Sequence, residues 1–143
     1  MKIALTSIQP PHTTNIFDGK KSIEWRKIAL PLGRHDVYET KRNNGAGLVI
    51  GSMEIIRNYF FNSVDEIPNY LIDEGCVPRS FLKSYAGKGP LYANVICEPK
   101  RFETPRDISY YHRPPISPSD AECRDRVLKP PQSFMYAIDK ETK

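Results

Sequence analysis

The chain has 143 residues, 39% of them hydrophobic and 27% charged, and a formal net charge of +4. That length suits one domain and can bury a core without disulfides or a structural metal, and the composition excludes an unfolded chain. No run approaches the roughly 18 apolar residues of a membrane span, and the apolar start is too short for a signal peptide and is cut by Pro10 and Pro11, so a cytoplasmic protein with no membrane partner is expected.

Residues 2–8 read as a buried strand carrying Ile3, Leu5 and Ile8. Residues 11–18 read as a short helix, opened by Pro10-Pro11 and ended by Gly19, with Ile16 and Phe17 toward the core. Residues 20–28 alternate as a strand does. Ile23 and Trp25 fall on one face, and Ser22, Glu24 and Arg26 fall on the other. The run from Ala29 to Gly33 breaks this strand. Residues 35–42 form the next one. Asn43-Asn44-Gly45-Ala46-Gly47 is a turn signal, because Asn and Gly tolerate positive φ. The Val-, Ile-, Tyr- and Phe-rich run 48–61 then completes a hairpin.

Residues 63–74 carry helix signals: Ser63 as N-cap, Glu66 three positions later as a capping box, and Gly75 as C-cap. Residues 78–86 read as a second short helix, with Phe81, Leu82 and Tyr85 at helical spacing and Gly87 closing it. Residues 91–102 form a long strand, and 133–138 a last one. Between them, 104–131 is proline-rich and polar and is expected to wrap loosely around the body. Strands dominate, and no helix separates consecutive paired strands. The expected class is α+β: a mixed, mainly antiparallel β-barrel with short flanking helices, in a single domain spanning 1–143.

Cys76, Cys97 and Cys123 are odd in number and form no C-x-x-C, so neither a zinc site nor a redox pair is indicated, and no cofactor is expected. A metal shared by His112 and Cys123 has no ligand spacing behind it. Cys97, within Val95-Ile96-Cys97, reads as a buried thiol.

The chemistry concentrates in Gly19-Lys20-Lys21-Ser22-Ile23-Glu24-Trp25-Arg26. Glu24 and Arg26 share a strand face. Strict alternation puts Lys21 on the other face, so convergence of the three requires a bend beside Gly19. Converging, they could hold a ligand: Arg26 offers a planar fork for phosphate, Lys21 a mobile charge, and Glu24 an acceptor for a base amino group. Diverging, they would form a solvated ion-pair ladder. Ser22 or Thr40 could serve as a nucleophile only with a base in hydrogen-bond reach. A Glu24 raised in pKa by burial could activate a water instead.

The same segment matches the G-x-K-x-x-E-x-R signature of ASCH domains, relatives of the PUA RNA-binding fold. Other pieces resemble that family in order: Thr6-Ser7-Ile8-Gln9-Pro10, the Y-x-T of Tyr38-Glu39-Thr40, Val49 to Glu54, and Pro130-Pro131-Gln132-Ser133-Phe134-Met135-Tyr136. The resemblance implies a PUA-like β-barrel with a polar cleft for RNA or a nucleotide-like ligand. The expected ligand-binding residues are Lys21, Glu24, Arg26, Tyr38, Thr40, Gln132 and Ser133. It also implies an alternative, hydrolysis of acylated cytidine nucleosides or of RNA, with Lys21 and Glu24 as catalytic candidates. Two departures stand against the hydrolase. Glu24 occupies the position of the family's Thr nucleophile, and Gln9 replaces a basic residue often found in S-I-x-P.

Trp25, Tyr38, Tyr110 and Tyr111 could stack on bases, though Trp25 shares its face with Ile23 and reads first as core. Tyr110-Tyr111-His112-Arg113 reads equally as a stacking platform or as an anchor of the tail. Lys41, Arg42, Arg124, Arg126 and Lys129 either widen a basic surface or merely keep the chain soluble. Gln132-Ser133 lines the cleft mouth or caps the last strand. The segment 104–131 could also contact a protein partner.

Overall fold

The computed structural model describes residues 2–114 and 126–139. Six strands form one sheet. They are β1 (Lys2–Ile8), β2 (Ile23–Arg26), β3 (Gly33–Glu39), β4 (Leu48–Phe61), β5 (Leu91–Arg106) and β6 (Phe134–Ile138), in the order β2-β5-β4-β3-β1-β6. All neighbours are antiparallel except β1 and β3, which run parallel with Ala4 opposite His35. The architecture is α+β and barrel-like, but the sheet does not close through its backbone, and β2 and β6 remain its two edges.

The hairpin between β3 and β4 forms in the register Glu39 opposite Leu48, with a bulge between Val37 and Tyr38. Its turn uses positive φ at Asn43, Asn44 and Gly47, as the residue types require. Strand β2 is shorter than the expected 20–28, and β3 starts at Gly33 and stops at Glu39. Strand β5 runs on to Arg106, so the head of the expected wrapping segment belongs to the sheet.

Three short helices flank the sheet: α1 (His12–Phe17), α2 (Asn69–Glu74) and α3 (Arg79–Ala86). The helix expected over 63–74 is broken. A 3-10 turn, Val64–Glu66, is followed by Ile67 with φ −80° and ψ 125°, and α2 starts only after Pro68. The ring of Pro68 drives the preceding residue out of the helical region and has no N–H to donate. The capping box does not form, since Ser63 makes no side-chain cap; Glu66 Oε1 instead accepts from the Asn62 N–H at 3.0 Å. The Arg79 guanidinium then joins the pieces, donating to the carbonyls of Val64 and Ile67 at 2.7 Å each.

Burial explains the layering. Ile23, Trp25, Leu71, Ile72, Leu82 and Leu91 pack α2 and α3 against β2 and β5. Ile16 of α1 packs with Ile8, Val37, Met53 and Ile55. A third cluster joins Ile3, Leu5, Tyr38, Val49, Tyr111, Val127 and Ala137. Each Val, Leu, Ile or Met among them contributes about 1.5–3 kcal/mol when fully removed from water.

The tail is fixed where it is described. Tyr111 is fully buried, and its hydroxyl donates to Asp36 Oδ2 at 2.5 Å. Tyr110 donates to Asp139 Oδ1 at 3.0 Å, and His112 exchanges backbone hydrogen bonds with Ile138. The Tyr110-Tyr111-His112 run therefore anchors this part of the chain to the sheet, with Tyr111 too deeply buried to stack on a base, while residues 128–130 are exposed. Arg113 and Arg126 are described; Cys123 and Arg124 lie outside the described residues. Cys97 is only half-buried, and the next residue, Glu98, takes a left-handed backbone (φ 52°) within β5.

Candidate functional site

A cavity of about 750 Å³ opens between α1, α3 and the edge of the sheet. Three remote stretches supply its wall: residues between Ser7 and Arg42, then Val77 to Tyr85, then Pro130 to Gln132. Of the residues expected in a cleft, Lys21, Glu24, Arg26, Tyr38, Thr40 and Gln132 line it. Ser133 does not, but it holds one that does.

Lys21 reaches the cavity by the bend that alternation demanded. Gly19 takes φ +79°, and the N–H groups of Lys20 and Lys21 both donate to the Asn15 carbonyl, so α1 carries the chain past its own end before β2 begins. Lys21 is 3% exposed. Its Nζ lies 3.8 Å from Glu24 Oε1 and donates to the carbonyl of Gly75. Glu24 faces inward from β2. Its backbone carbonyl accepts from the side chain of the fully buried Asn94 at 3.0 Å. Arg26 Nε donates to Glu24 Oε2 at 2.8 Å, Nη1 to Ser133 Oγ at 3.1 Å, and Nη2 to the Ser7 carbonyl at 2.8 Å. Ser7 Oγ in turn donates to the Pro131 carbonyl at 2.6 Å. Arg26 thus bridges the open seam between β2 and the β1–β6 pair. Its fork is largely occupied by the protein, which corrects the picture of a guanidinium free to grip phosphate.

Burial lowers the Lys21 pKa from 10.5, only partly opposed by the charge of Glu24. Burial pushes the Glu24 carboxyl up, but the charges of Arg26 and Lys21 and the bond from Arg26 outweigh it and leave the pKa below 4.5. Glu24 is held firmly ionised, so the water-activating Glu24 with a raised pKa does not arise. Of the candidate nucleophiles, Ser22 Oγ donates to Glu74 Oε2 at 3.0 Å, a carboxylate in reach, but neither residue lines the cavity. Thr40 Oγ1 is buried on the cavity wall and bonds to no base among the described residues.

Sequence reasoning missed His12, Phe81 and Tyr85 as wall residues. His12 stands at the start of α1, with Nδ1 buried and without a partner. Burial lowers its pKa from 6.5, and the charges of Lys21 and Arg26 lower it further, so the ring is neutral near pH 7. Phe81 and Tyr85 stack on each other along α3, with centroids 6.3 Å apart and planes 10° apart, and they stay 47% and 37% exposed while lining the cavity. Their i, i+4 spacing was visible, but not the face they turn to the sheet. Trp25 is a core residue, with Nε1 against Gly75. Tyr38 is buried as well. Among the described residues, no group of three His, Cys, Asp or Glu could hold a metal ion, and no helix is long and apolar enough to cross a membrane.

A six-stranded, mainly antiparallel sheet with short helices and a charged cavity at its open seam defines an α+β, barrel-like fold among the described residues. Its particular form is the ASCH fold. The crystal structure of ASCH from Zymomonas mobilis matches with a TM-score of 0.71 at 22% identity, over 96% of this chain and 88% of that one. A serine-to-alanine variant of the same protein matches at 0.72 and 22% identity, over 97% and 90%. A tyrosine-to-phenylalanine variant matches at 0.72 and 22% identity, over 99% and 94%. No family model and no curated protein matches the chain.

Proposed function

We propose that this protein binds a nucleotide-like ligand, free or as one residue of single-stranded RNA, in the cavity beside Lys21, Glu24 and Arg26. One observation carries the reading. A single cavity gathers a charged triad whose Lys21 and Glu24 are buried, three lining residues with a buried polar atom that has no partner among the described residues (His12 Nδ1, Trp25 Nε1 and Thr40 Oγ1), and a stacked aromatic pair. Its volume falls in the range of small-molecule sites, roughly 300–1,000 Å³. Glu24, held ionised, accepts from an amino group. The Phe81–Tyr85 pair offers a planar apolar surface to a base.

The test is calorimetric titration with the four nucleoside monophosphates and with short single-stranded RNAs. Binding is expected, weakened at least tenfold by Lys21→Met, measured below that variant's own melting temperature, and by Phe81→Ala at unchanged melting temperature. Failure of every nucleotide and RNA to bind, or binding indifferent to both substitutions, overturns the proposal.

A second reading, hydrolysis of an acylated cytidine nucleoside or of RNA, has the lowered pKa of Lys21 in its favour. Against it, the hydroxyl with a carboxylate in reach, Ser22, lies off the cavity, and the Thr40 hydroxyl on the cavity wall bonds to no base among the described residues. Incubation with acetylated cytidine or RNA and chromatography of the products decides it. Turnover lost in Lys21→Met would establish the hydrolase, and no turnover removes it.

A further inference from the structure

The motif residues are not where an anion would settle first. Lys21 is tied to Gly75 and Glu24, and Arg26 to Glu24, Ser133 and Ser7. Two other cavity-lining cations, Lys41 and Arg42, are exposed and pair with no carboxylate among the described residues. They follow Thr40, whose hydroxyl has no partner. Three consecutive residues of one turn therefore present a hydroxyl and two uncompensated charges to the same space.

The corner they occupy is held to the start of α1 by three hydrogen bonds. The Thr40 N–H donates to the Ile8 carbonyl at 3.1 Å, Asn43 Nδ2 to the Pro10 carbonyl at 2.9 Å, and Thr13 Oγ1 to Glu39 Oε2 at 2.5 Å. These ties place His12, between Pro10 and Thr13, in the same corner. Glu39, the nearest carboxylate in sequence, does not line the cavity. Its second oxygen accepts from the Ala46 N–H at 2.8 Å, so both oxygens are held away from the cavity by neutral donors.

Resting on the nucleotide reading above, we infer that Thr40, Lys41 and Arg42, with His12, form the phosphate subsite of the cavity. The Lys21–Glu24–Arg26 group then serves the remainder of the ligand. Hydroxyl, ammonium and guanidinium all donate, as a phosphate's acceptor oxygens require. The neutral His12 can add a donor without adding a charge.

The experiment compares adenosine, cytidine, guanosine and uridine with their 5′-monophosphates on the wild type and on the double variant Lys41→Ala, Arg42→Ala. Both positions are exposed and outside the core, so the variant folds. In the wild type the monophosphate is expected to bind about 10–100-fold tighter than its nucleoside, the effect of one or two charge-assisted bonds. The double variant should erase that margin and leave nucleoside affinity unchanged. Equal affinity for nucleoside and monophosphate in the wild type, or a margin that survives in the double variant, overturns the subsite. Should no nucleoside or nucleotide bind, the nucleotide reading fails separately, and inorganic phosphate titrated into the labelled protein decides the subsite. Amide shifts confined to Thr40–Gly45 and absent from the double variant support it; their absence in the wild type refutes it. Single-stranded RNAs with and without a 5′-phosphate separate the sources. A preference for the phosphorylated end assigns a terminal phosphate, and equal, salt-dependent binding assigns a phosphodiester.

Discussion

Arg26 donates to Glu24 at 2.8 Å from the same face of one short strand, and Lys21 approaches the other oxygen of that carboxylate. A buried cation and a partly buried one therefore share one buried anion. Replacing it with a neutral isostere strands both, and breaking a buried pair costs about 3–5 kcal/mol. Glu24→Gln should lose roughly that much in urea denaturation. A loss under about 1 kcal/mol would mean the three groups are solvated.

The pH dependence of stability has a definite sign at the same residue. The folded-state pKa of Glu24 lies below its ordinary 4.5, so the stabilisation is complete above that value and is lost as pH falls through the folded-state pKa. Acid titration of the wild type should show a loss starting below about pH 4.5 that is shallower in Glu24→Gln. Identical acid limbs in the two proteins would contradict the assignment.

His12 gives a pH readout of its own. Burial and the neighbouring charges of Lys21 and Arg26 hold its pKa below 6.5, against the opposing pull of Glu24. As pH drops below 6.5, the unfolded chain takes up this proton before the folded one, so the residue lowers stability there. A proton NMR titration of the His12 ring should give a midpoint below 6.5. A midpoint at or above that value would place the ring in water.

Gly75 is small for a reason other than backbone freedom, since its φ is −88°. A Cβ at this position would lie 1.9 Å from Trp25 Nε1. Gly75→Ala should therefore push the indole aside and destabilise the protein by about 1–3 kcal/mol. Trp25 is the sole tryptophan, so its fluorescence reports the shift directly. The Gly75 carbonyl also holds Lys21, so ligand affinity should fall with it. An unshifted emission spectrum with unchanged stability would count against this packing.

Tyr111 tests the tail anchor. Its hydroxyl donates to Asp36, which is fully buried and also pairs with Arg34 at 2.8 Å. Tyr111→Phe removes one donor from a buried acceptor and should cost about 1–3 kcal/mol. The midpoint of denaturation measures it; no change would show that the bond to Arg34 alone satisfies Asp36.

Local chemistry made much of this legible. Alternation placed Ile23 and Trp25 in the core and Glu24 and Arg26 across from them, because a strand's faces follow from its backbone. Asn43, Asn44 and Gly47 announced their own turn. The reading failed where a single residue overruled its neighbours: Pro68 broke a helix whose capping signals were otherwise in place. It also failed where the answer was long-range. Nothing near residue 26 says that its guanidinium is filled by Ser7 and Ser133. Nothing near residue 12 says that an imidazole nitrogen faces a cavity completed at Pro131.

The cavity wall begins at Ser7 and ends at Gln132. Any internal cut between Gln9 and Pro130 divides it between two pieces, neither of which retains a closed binding surface. The cavity is in that sense a property of the whole sheet topology, and two halves expressed apart would regain it only by reassembling the sheet.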